Sequence, residues 1–206
     1  MDSPDIQRYV ERIEAPLIER AREDRPGVSY RFTVLDDPAQ VNAFAAPGGF
    51  LYVYLGLIIA GVLVHEIGHI VGRHWANQLA SQFGLQLISA IALGEDASKH
   101  AVDIANITAQ LSSARFSRDD ERQADRYGLH YVVESGYDPR GLVRFFEKIG
   151  AIESGGRTSV EYLFSSHPAT EERIRDLEAR IERSSVKKGW RNAQRYMRET
   201  APLRRQ

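Results

Sequence analysis

The sequence predicts a mainly helical α+β domain with a small antiparallel sheet. Strand-like alternation is confined to residues 29–54, whereas apolar residues recur at helical spacing in the segments before and after it. A chain of 206 residues, 43% apolar and 27% charged, has the size and composition of one domain with a full core. Its net charge of -1 supplies no global pull toward nucleic acid or an anionic membrane, and no nucleic-acid partner is expected. There is no cysteine, which excludes disulfides, thiolate catalysis and cysteine-type metal sites. Any metal must be held by His, Asp or Glu.

Residues 3–23 place Ile6, Val10, Ile13, Leu17 and Ile18 near helical spacing, an amphipathic helix that Pro16 is expected to kink or split. Met1-Asp2-Ser3-Pro4-Asp5 lacks the basic-then-apolar pattern of a secretory leader, which fits a cytoplasmic chain or a mature one whose leader was removed. Arg25-Pro26-Gly27 is a turn. Tyr30, Phe32 and Val34 then alternate with Arg31 and Thr33 in a half-buried strand over 29–35, ended by Asp36-Asp37-Pro38. Two more strands, Val41–Ala45 and Phe50–Tyr54, flank the turn Pro47-Gly48-Gly49. The apolar stretch from Phe50 to Val64 meets His65 and Glu66 before the roughly 18 residues of a membrane span, and reads as strand, turn and buried helix.

Beyond Gly61 the chain is mostly helical. One helix is expected over 97–114. The next begins at Ser117, whose hydroxyl can cap a first turn loaded with Asp119, Asp120 and Glu121, and runs to Ser135 with Gly136 as its C-cap. Arg140–Ile149 is another, Gly155-Gly156 a loop, and Thr170 caps a charged helix over 171–183. The domain is thus expected to span 1–183, leaving 184–206 as a basic C-terminal tail or helix. The apolar stretch Phe83–Leu93 reads first as core, with cleft lining and membrane contact as alternatives.

Val64-His65-Glu66-Ile67-Gly68-His69 carries the strongest chemical signal. Histidines four apart on a helix point the same way, one turn apart, so both imidazoles can reach one ion. A glutamate beside the first histidine can sit against a metal-bound water, whose pKa zinc lowers toward about 7 while polarising a scissile carbonyl. Glu66 would take the water's proton and pass it to the leaving amine. The plain alternative is a helix with two ordinary histidines. Against it, Val62-Leu63-Val64, Ile67 and Ile70-Val71 surround the pair, and buried imidazoles beside a carboxylate are costly without a partner or an ion.

A catalytic zinc takes three protein ligands and keeps one open position. Glu121 is the candidate third ligand. Asp125 follows four residues later on the same helix face, so one carboxylate can bind the metal while the other accepts the free ring N–H of a ligand histidine. The alternative reading makes both part of a capping and surface-charge cluster with Asp119, Asp120 and Arg122. His167, in Ser165-Ser166-His167-Pro168, admits three roles: a surface residue, a donor to the oxyanion, or a fourth ligand that blocks the zinc. His74, His100 and His130 stand without motif partners and read as structural.

With these helices in hand, the chain resembles the zinc metallopeptidase family that includes HtpX and the CAAX prenyl proteases, the gluzincin pattern of HExxH plus a downstream Glu. The matching stretches are Asn42–Gly49, His65–His69, Phe116-Ser117-Arg118 through Glu121 to Asp125 and Gly128, and Ser166-His167-Pro168 with Arg173-Ile174. They follow the family's order and cover residues 28–180. The resemblance implies a zincin-like fold, Glu121 as third ligand, Asp125 as support for a ligand histidine, and His167 and Arg173 near the reaction centre, where they steady the transition state. It also implies a strand beside the cleft, the edge strand around Phe50–Tyr54, that pairs with protein or peptide substrate in extended conformation. Members with transmembrane helices are integral membrane proteases; this chain is more similar to the soluble bacterial cell-envelope branch, so the periplasm or envelope, and a role in protein quality control there, are expected.

One departure stands out. Family members carry an acidic, small-residue stretch ahead of the metal helix, whereas here Ala60 runs straight into Gly61-Val62-Leu63. A helix starting there has no capping residue for its first N–H groups, and the expectation is that residues are missing from the sequence at this junction. The expected reaction is zinc-dependent hydrolysis of peptide bonds. A metal-bound but latent adaptor or chaperone-like protein with a capped site is the alternative, and contact with a membrane surface or an envelope protein is left open. A purely structural metal site would leave Glu66 without a purpose.

Overall fold

The computed structural model describes residues 4–35, 42–46, 48–54, 60–78, 80–81, 116–154, 167, 171–186 and 188–189. Along the described chain run α1 (Pro4–Asp24), β1 (Arg31–Leu35), β2 (Ala43–Ala46), β3 (Phe50–Tyr54), α2 (Ala60–Val71), α3 (Arg118–Glu134), α4 (Arg140–Ser154) and α5 (Glu171–Arg183). This is the mainly helical α+β arrangement expected. The segments over 83–93, 97–114 and 155–156, Thr170 and the residues after 189 lie outside the described set.

The sheet corrects two expectations. Its order is β1-β3-β2, with β1 parallel and β2 antiparallel to β3, so it is mixed, and Phe50–Tyr54 is the central strand. The cause lies at the hairpin. Gly48 and Gly49 both take left-handed φ angles of 92° and 88°, which turn β2 back into β3. A Cβ on Gly49 would stand 2.5 Å from the Ser29 carbonyl oxygen, so glycine there lets the chain entering β1 pass close by. Arg31 N–H then donates to Gly49 O at 2.9 Å and seats β1 on the far side of β3. Among the described residues this leaves β2 as the edge strand beside α2.

One face of the sheet, with Ala43, Ala45, Leu51 and Val53, is buried, as the alternation requires. On the other face Phe44 stacks on Tyr52 at 4.9 Å. Helix α2 runs through the middle of the molecule, with Val62, Leu63, Val64 and Ile67 all at or below 1% exposure, against α1, β2, α3 and α4. A helix apolar on all sides is one enclosed on all sides. It is continuous through Ala60 and Gly61, so no break marks the junction where missing residues were expected. Gly61 is pressed on α4, where a Cβ would come within 3.1 Å of Leu142 Cα.

Pro16 lies inside α1 without splitting it. Ile13, Leu17, Ile18 and Ala21 bury into the same core on either side of the proline, which holds the helix in register. Ser135 Oγ donates to Pro16 O and Tyr137 Oη to Ile13 O, tying that stretch to the end of α3. At the start of α3, Ser117 Oγ accepts from Asp120 N–H at 3.1 Å, and Asp120 Oδ2 accepts in return from Ser117 N–H at 3.2 Å. This reciprocal cap fixes where the helix begins, at Arg118, three residues before Glu121. Gly136, at φ 76°, follows its C-cap Ser135. Helix α4 extends five residues past Ile149, to Ser154. Among the described residues no helix is long and apolar enough to cross a membrane.

Candidate metal centre

Four buried residues offer donor atoms that all lie within 4.8 Å of one another: His65 and His69 from α2, Glu121 from α3, and His167. His65 Nε2 lies 3.1 Å from His69 Nε2, 3.3 Å from His167 Nδ1 and 3.3 Å from Glu121 Oε2. Glu121 Oε1 lies 3.5 Å from His69 Nε2 and 2.9 Å from His167 Nδ1. A tetrahedral ion with bonds of about 2.0–2.1 Å to nitrogen and oxygen separates its donors by about 3.3 Å. These spacings fit such an ion, and the donor set of imidazoles and a carboxylate suits a divalent metal.

Helix crossing produces the grouping. Gly68 on α2 faces Ala124 on α3, and Gly128 faces Val64, so the helices meet with backbone nearly against backbone. His65 and His69 sit one turn apart on α2, and Glu121 and Asp125 one turn apart on α3. Pairing the two turns brings His65 Nδ1 to 3.0 Å from Asp125 Oδ1, on the side of the ring away from the centre. Arg173 of α5 then closes the outer layer: its Nε and Nη2 each donate to Asp125 at 2.7 Å, and Nη1 lies 2.7 Å from Glu121 Oε2. Its guanidinium rests over the Phe146 ring at 4.3 Å.

Glu66 points from α2 toward the sheet. The Ala45 N–H of β2 donates to its Oε2 at 2.9 Å, while Oε1 makes no hydrogen bond and lies 3.6 Å from His167 Nε2. One carboxylate oxygen is held and the other faces the centre.

The chain matches the model of peptidase family M48 over residues 4–181. It belongs to that family. It is 29% identical over 170 residues to the metalloprotease LoiP of Escherichia coli, covering 78% of this chain and 65% of that one. To the mitochondrial metalloendopeptidase OMA1 of Arabidopsis thaliana it is 32% identical over 160 residues, covering 73% of this chain and 31% of the relative. The Escherichia coli beta-barrel assembly-enhancing protease is 27% identical over 198 residues, 87% of this chain and 40% of its own. The chain thus spans less than two thirds of each of these relatives. Membership in M48 implies a divalent metal, for which the His, His, Glu and His cluster is the fitting place.

In this M48 chain, burial and charge work against each other around the centre. Burial opposes charge on His65, yet its contacts with Asp125 and Glu121 outweigh that and push its pKa up to about 9 in the metal-free site. Burial raises the Glu66 pKa, against the pull of His167 and His65. Burial likewise holds His69 well below the ordinary imidazole value. Burial would raise Glu121 and Asp125 too, but His167 for the first and Arg173 for the second hold both below the ordinary carboxylate range. Two buried anions therefore face two buried cations.

The residues singled out from the sequence for this candidate site lie in one cluster, His167 included. Arg173 reaches the centre by way of the carboxylates of Glu121 and Asp125, with its charge spent on them. One residue read as structural belongs here as well. His74 is buried, and its Nδ1 lies 2.9 Å from His69 Nδ1. Its other nitrogen meets Gln123 Oε1 at 2.7 Å, and neither His74 nor Gln123 stood out in the sequence. The spacing that would have flagged His74 is masked by a reversal after α2: Arg73 adopts φ 58°, a left-handed conformation costing a non-glycine residue roughly 1–2 kcal/mol.

Proposed function

We propose that this chain is a zinc-dependent metalloendopeptidase that hydrolyses peptide bonds in extended protein or peptide substrates. The observation that carries this reading is the grouping of His65, His69, Glu121 and His167 donors within 4.8 Å of one another, beside a Glu66 carboxylate with one oxygen free of hydrogen bonds. His65 and His69 would hold the ion through Nε2 and Glu121 through a carboxylate oxygen. Bound zinc lowers the pKa of a coordinated water toward about 7 and polarises a carbonyl.

The chain's own groups do the rest. Ala45 N–H pins Glu66 Oε2, so Oε1 is the atom that accepts a proton and returns it to the leaving amine. Burial raises the basicity of Glu66, which suits a group that must both take and give. His167, with Nδ1 at 3.3 Å from His65 Nε2 and 2.9 Å from Glu121 Oε1, would be the fourth protein group at the ion. Arg173 and Asp125 are positioning residues: Asp125 lies against His65 Nδ1, and Arg173 binds both carboxylates.

Substrate is assigned to the edge strand β2. Tyr54 N–H donates to Asn42 O, and the antiparallel alternation then points the backbone groups of Ala43 and the carbonyl of Ala45 away from β3, while the Ala45 N–H is taken by Glu66. An extended peptide paired there passes alongside Glu66. A place in the bacterial envelope, with protein quality control as the role and envelope proteins as partners, is supported by the likeness to the Escherichia coli relatives, one of them named for β-barrel assembly. The end of α5 at Arg183 supports a peptidase domain over 1–183 with 184–206 appended.

The test pairs elemental analysis of the purified protein with hydrolysis of an unfolded protein, with and without chelator. Zinc near one per chain and chelator-sensitive hydrolysis are expected. Glu66→Gln keeps the zinc and loses hydrolysis by about 10²–10⁴-fold. Hydrolysis unchanged in that variant, or none from the zinc-loaded parent, overturns the proposal.

A further inference from the structure

The two candidate ligand histidines of α2 are backed by different chemistry. Behind His65 stands a carboxylate, Asp125, itself bound by Arg173. Behind His69 stands another imidazole. His69 Nδ1 and His74 Nδ1 are 2.9 Å apart, a distance at which one must carry a proton and the other a lone pair. Which is which is decided one step further out. His74 Nε2 faces Gln123 Oε1 at 2.7 Å and Asp120 Oδ1 at 3.6 Å. An amide oxygen and a carboxylate oxygen only accept, so Nε2 of His74 carries the hydrogen. Turning the Gln123 amide over would set its NH₂ against that nitrogen, but the Asp120 carboxylate beside it still calls for a donor.

From this chain we infer that His74 is a positioning residue for the metal site proposed above: through Gln123 and Asp120 it fixes His69 as the Nδ1–H tautomer, leaving the Nε2 lone pair aimed at the ion. With its hydrogen on Nε2, His74 presents a bare Nδ1, and the hydrogen between the two rings sits on His69 Nδ1. Metal-bound histidines commonly donate their outer N–H to a carboxylate, a carbonyl or water. Here the acceptor is a second ring, which orients His69 without placing a full negative charge behind it.

The backbone is built for this contact. Helix α2 ends at Val71, and Arg73 at φ 58° turns the chain so that residues 74–78 start a new helical turn across the end of α2. Strained backbone of this kind concentrates at functional sites. A Cβ on Gly72 would collide with the His74 ring, so the glycine opens the slot in which that ring lies. Phe116 covers both rings, at 4.1 Å from His69 and 6.1 Å from His74, and His74 is 2% exposed.

The inference rests on the zinc reading, and its test separates the two. Long-range ¹H–¹⁵N correlation on the metal-free protein reads the tautomers directly: His69 is expected protonated on Nδ1 and His74 on Nε2. His74 protonated on Nδ1, or on both nitrogens, overturns the inference whether or not zinc binds. Chelator competition on the full chain then compares His74→Phe, which fills the slot without an acceptor, with His74→Asn, whose Oδ1 can accept at the Nδ1 position. The Phe variant is expected to bind zinc about 10–100-fold more weakly, and the Asn variant to recover most of that loss. Wild-type affinity in His74→Phe, or equal loss in both variants, overturns it. A parent that shows the expected tautomers but takes up no zinc overturns the metal reading and leaves the ring orientation standing.

Discussion

A Cβ placed on Gly68 would lie 2.5 Å from the Ala124 carbonyl oxygen and 2.9 Å from its Cα. Gly68 precedes His69, and Ala124 precedes Asp125, so this contact sets the gap between the two helices that carry the candidate ligands. Gly68→Ala is expected to cost about 1–3 kcal/mol by overpacking. It also pushes α3 away from α2, so zinc affinity measured by chelator competition falls along with the thermal midpoint. A variant that melts lower but binds zinc as the parent does would show that Gly68 sets packing alone.

Arg173 answers two buried carboxylates at once, Asp125 through a two-pronged contact and Glu121 through Nη1. Arg173→Met leaves both facing His65 without the guanidinium, and breaking a buried pair in this way costs about 3–5 kcal/mol. Arg173→Lys keeps the charge and loses the planar fork, so an intermediate loss is expected. Urea unfolding of the metal-free protein checks the order parent, Lys, Met. A Met variant as stable as the parent would refute it.

Glu14, on α1, is buried with Oε2 unpartnered, and burial, with Glu11 adding to it, lifts its pKa to about 8. A carboxyl whose folded pKa exceeds its unfolded value of 4.5 costs nothing below that pH, where both states hold the proton. The cost builds as pH rises toward 8, because the unfolded chain releases a proton that the folded one keeps. Glu14→Gln should therefore raise the thermal midpoint by at least about 2–4 °C near pH 8 and by nothing near pH 4. A gain of the same size at every pH would rule out this account.

At His65 a bound metal would compete with a proton. With its pKa pushed up to about 9 from 6.5, the charge on His65 stabilises the metal-free fold fully below pH 6.5, and that contribution disappears as pH rises through 9. Zinc needs the same nitrogen bare. Apparent zinc affinity should rise about tenfold per pH unit across that window for one displaced proton, then level off. Chelator competition between pH 6.5 and 9.5 measures the slope. A flat profile would mean that zinc does not displace a proton from His65.

The parts of this site legible in the sequence are those encoded by local spacing. His65, Glu66 and His69 follow from one helical turn, and the start of α3 follows from Ser117 and the acidic turn after it. What stayed hidden depends on contacts between distant segments. The central place of β3 is settled by Arg31 N–H reaching Gly49 O and by Ser29 passing over Gly49, neither of which a strand pattern records. Pro16 reads as a helix breaker, yet the apolar residues around it bury in one core and α1 runs on. His74, five residues after His69, would lie about 140° round a continuous helix. Only the left-handed Arg73 brings it back.

The candidate donors come from three stretches of chain, at 65 and 69, at 121 and at 167, and they converge only once α2 and α3 have crossed. An unfolded chain keeps just the first pair close together. An ion bound there would therefore tell folded from unfolded, and at a free concentration a hundredfold above its dissociation constant it would add about 2.7 kcal/mol to the native state. In surroundings starved of the ion the same molecule would be idle and also shorter-lived, open to neighbouring proteases, so metal supply would govern how much of it persists as well as how fast it works.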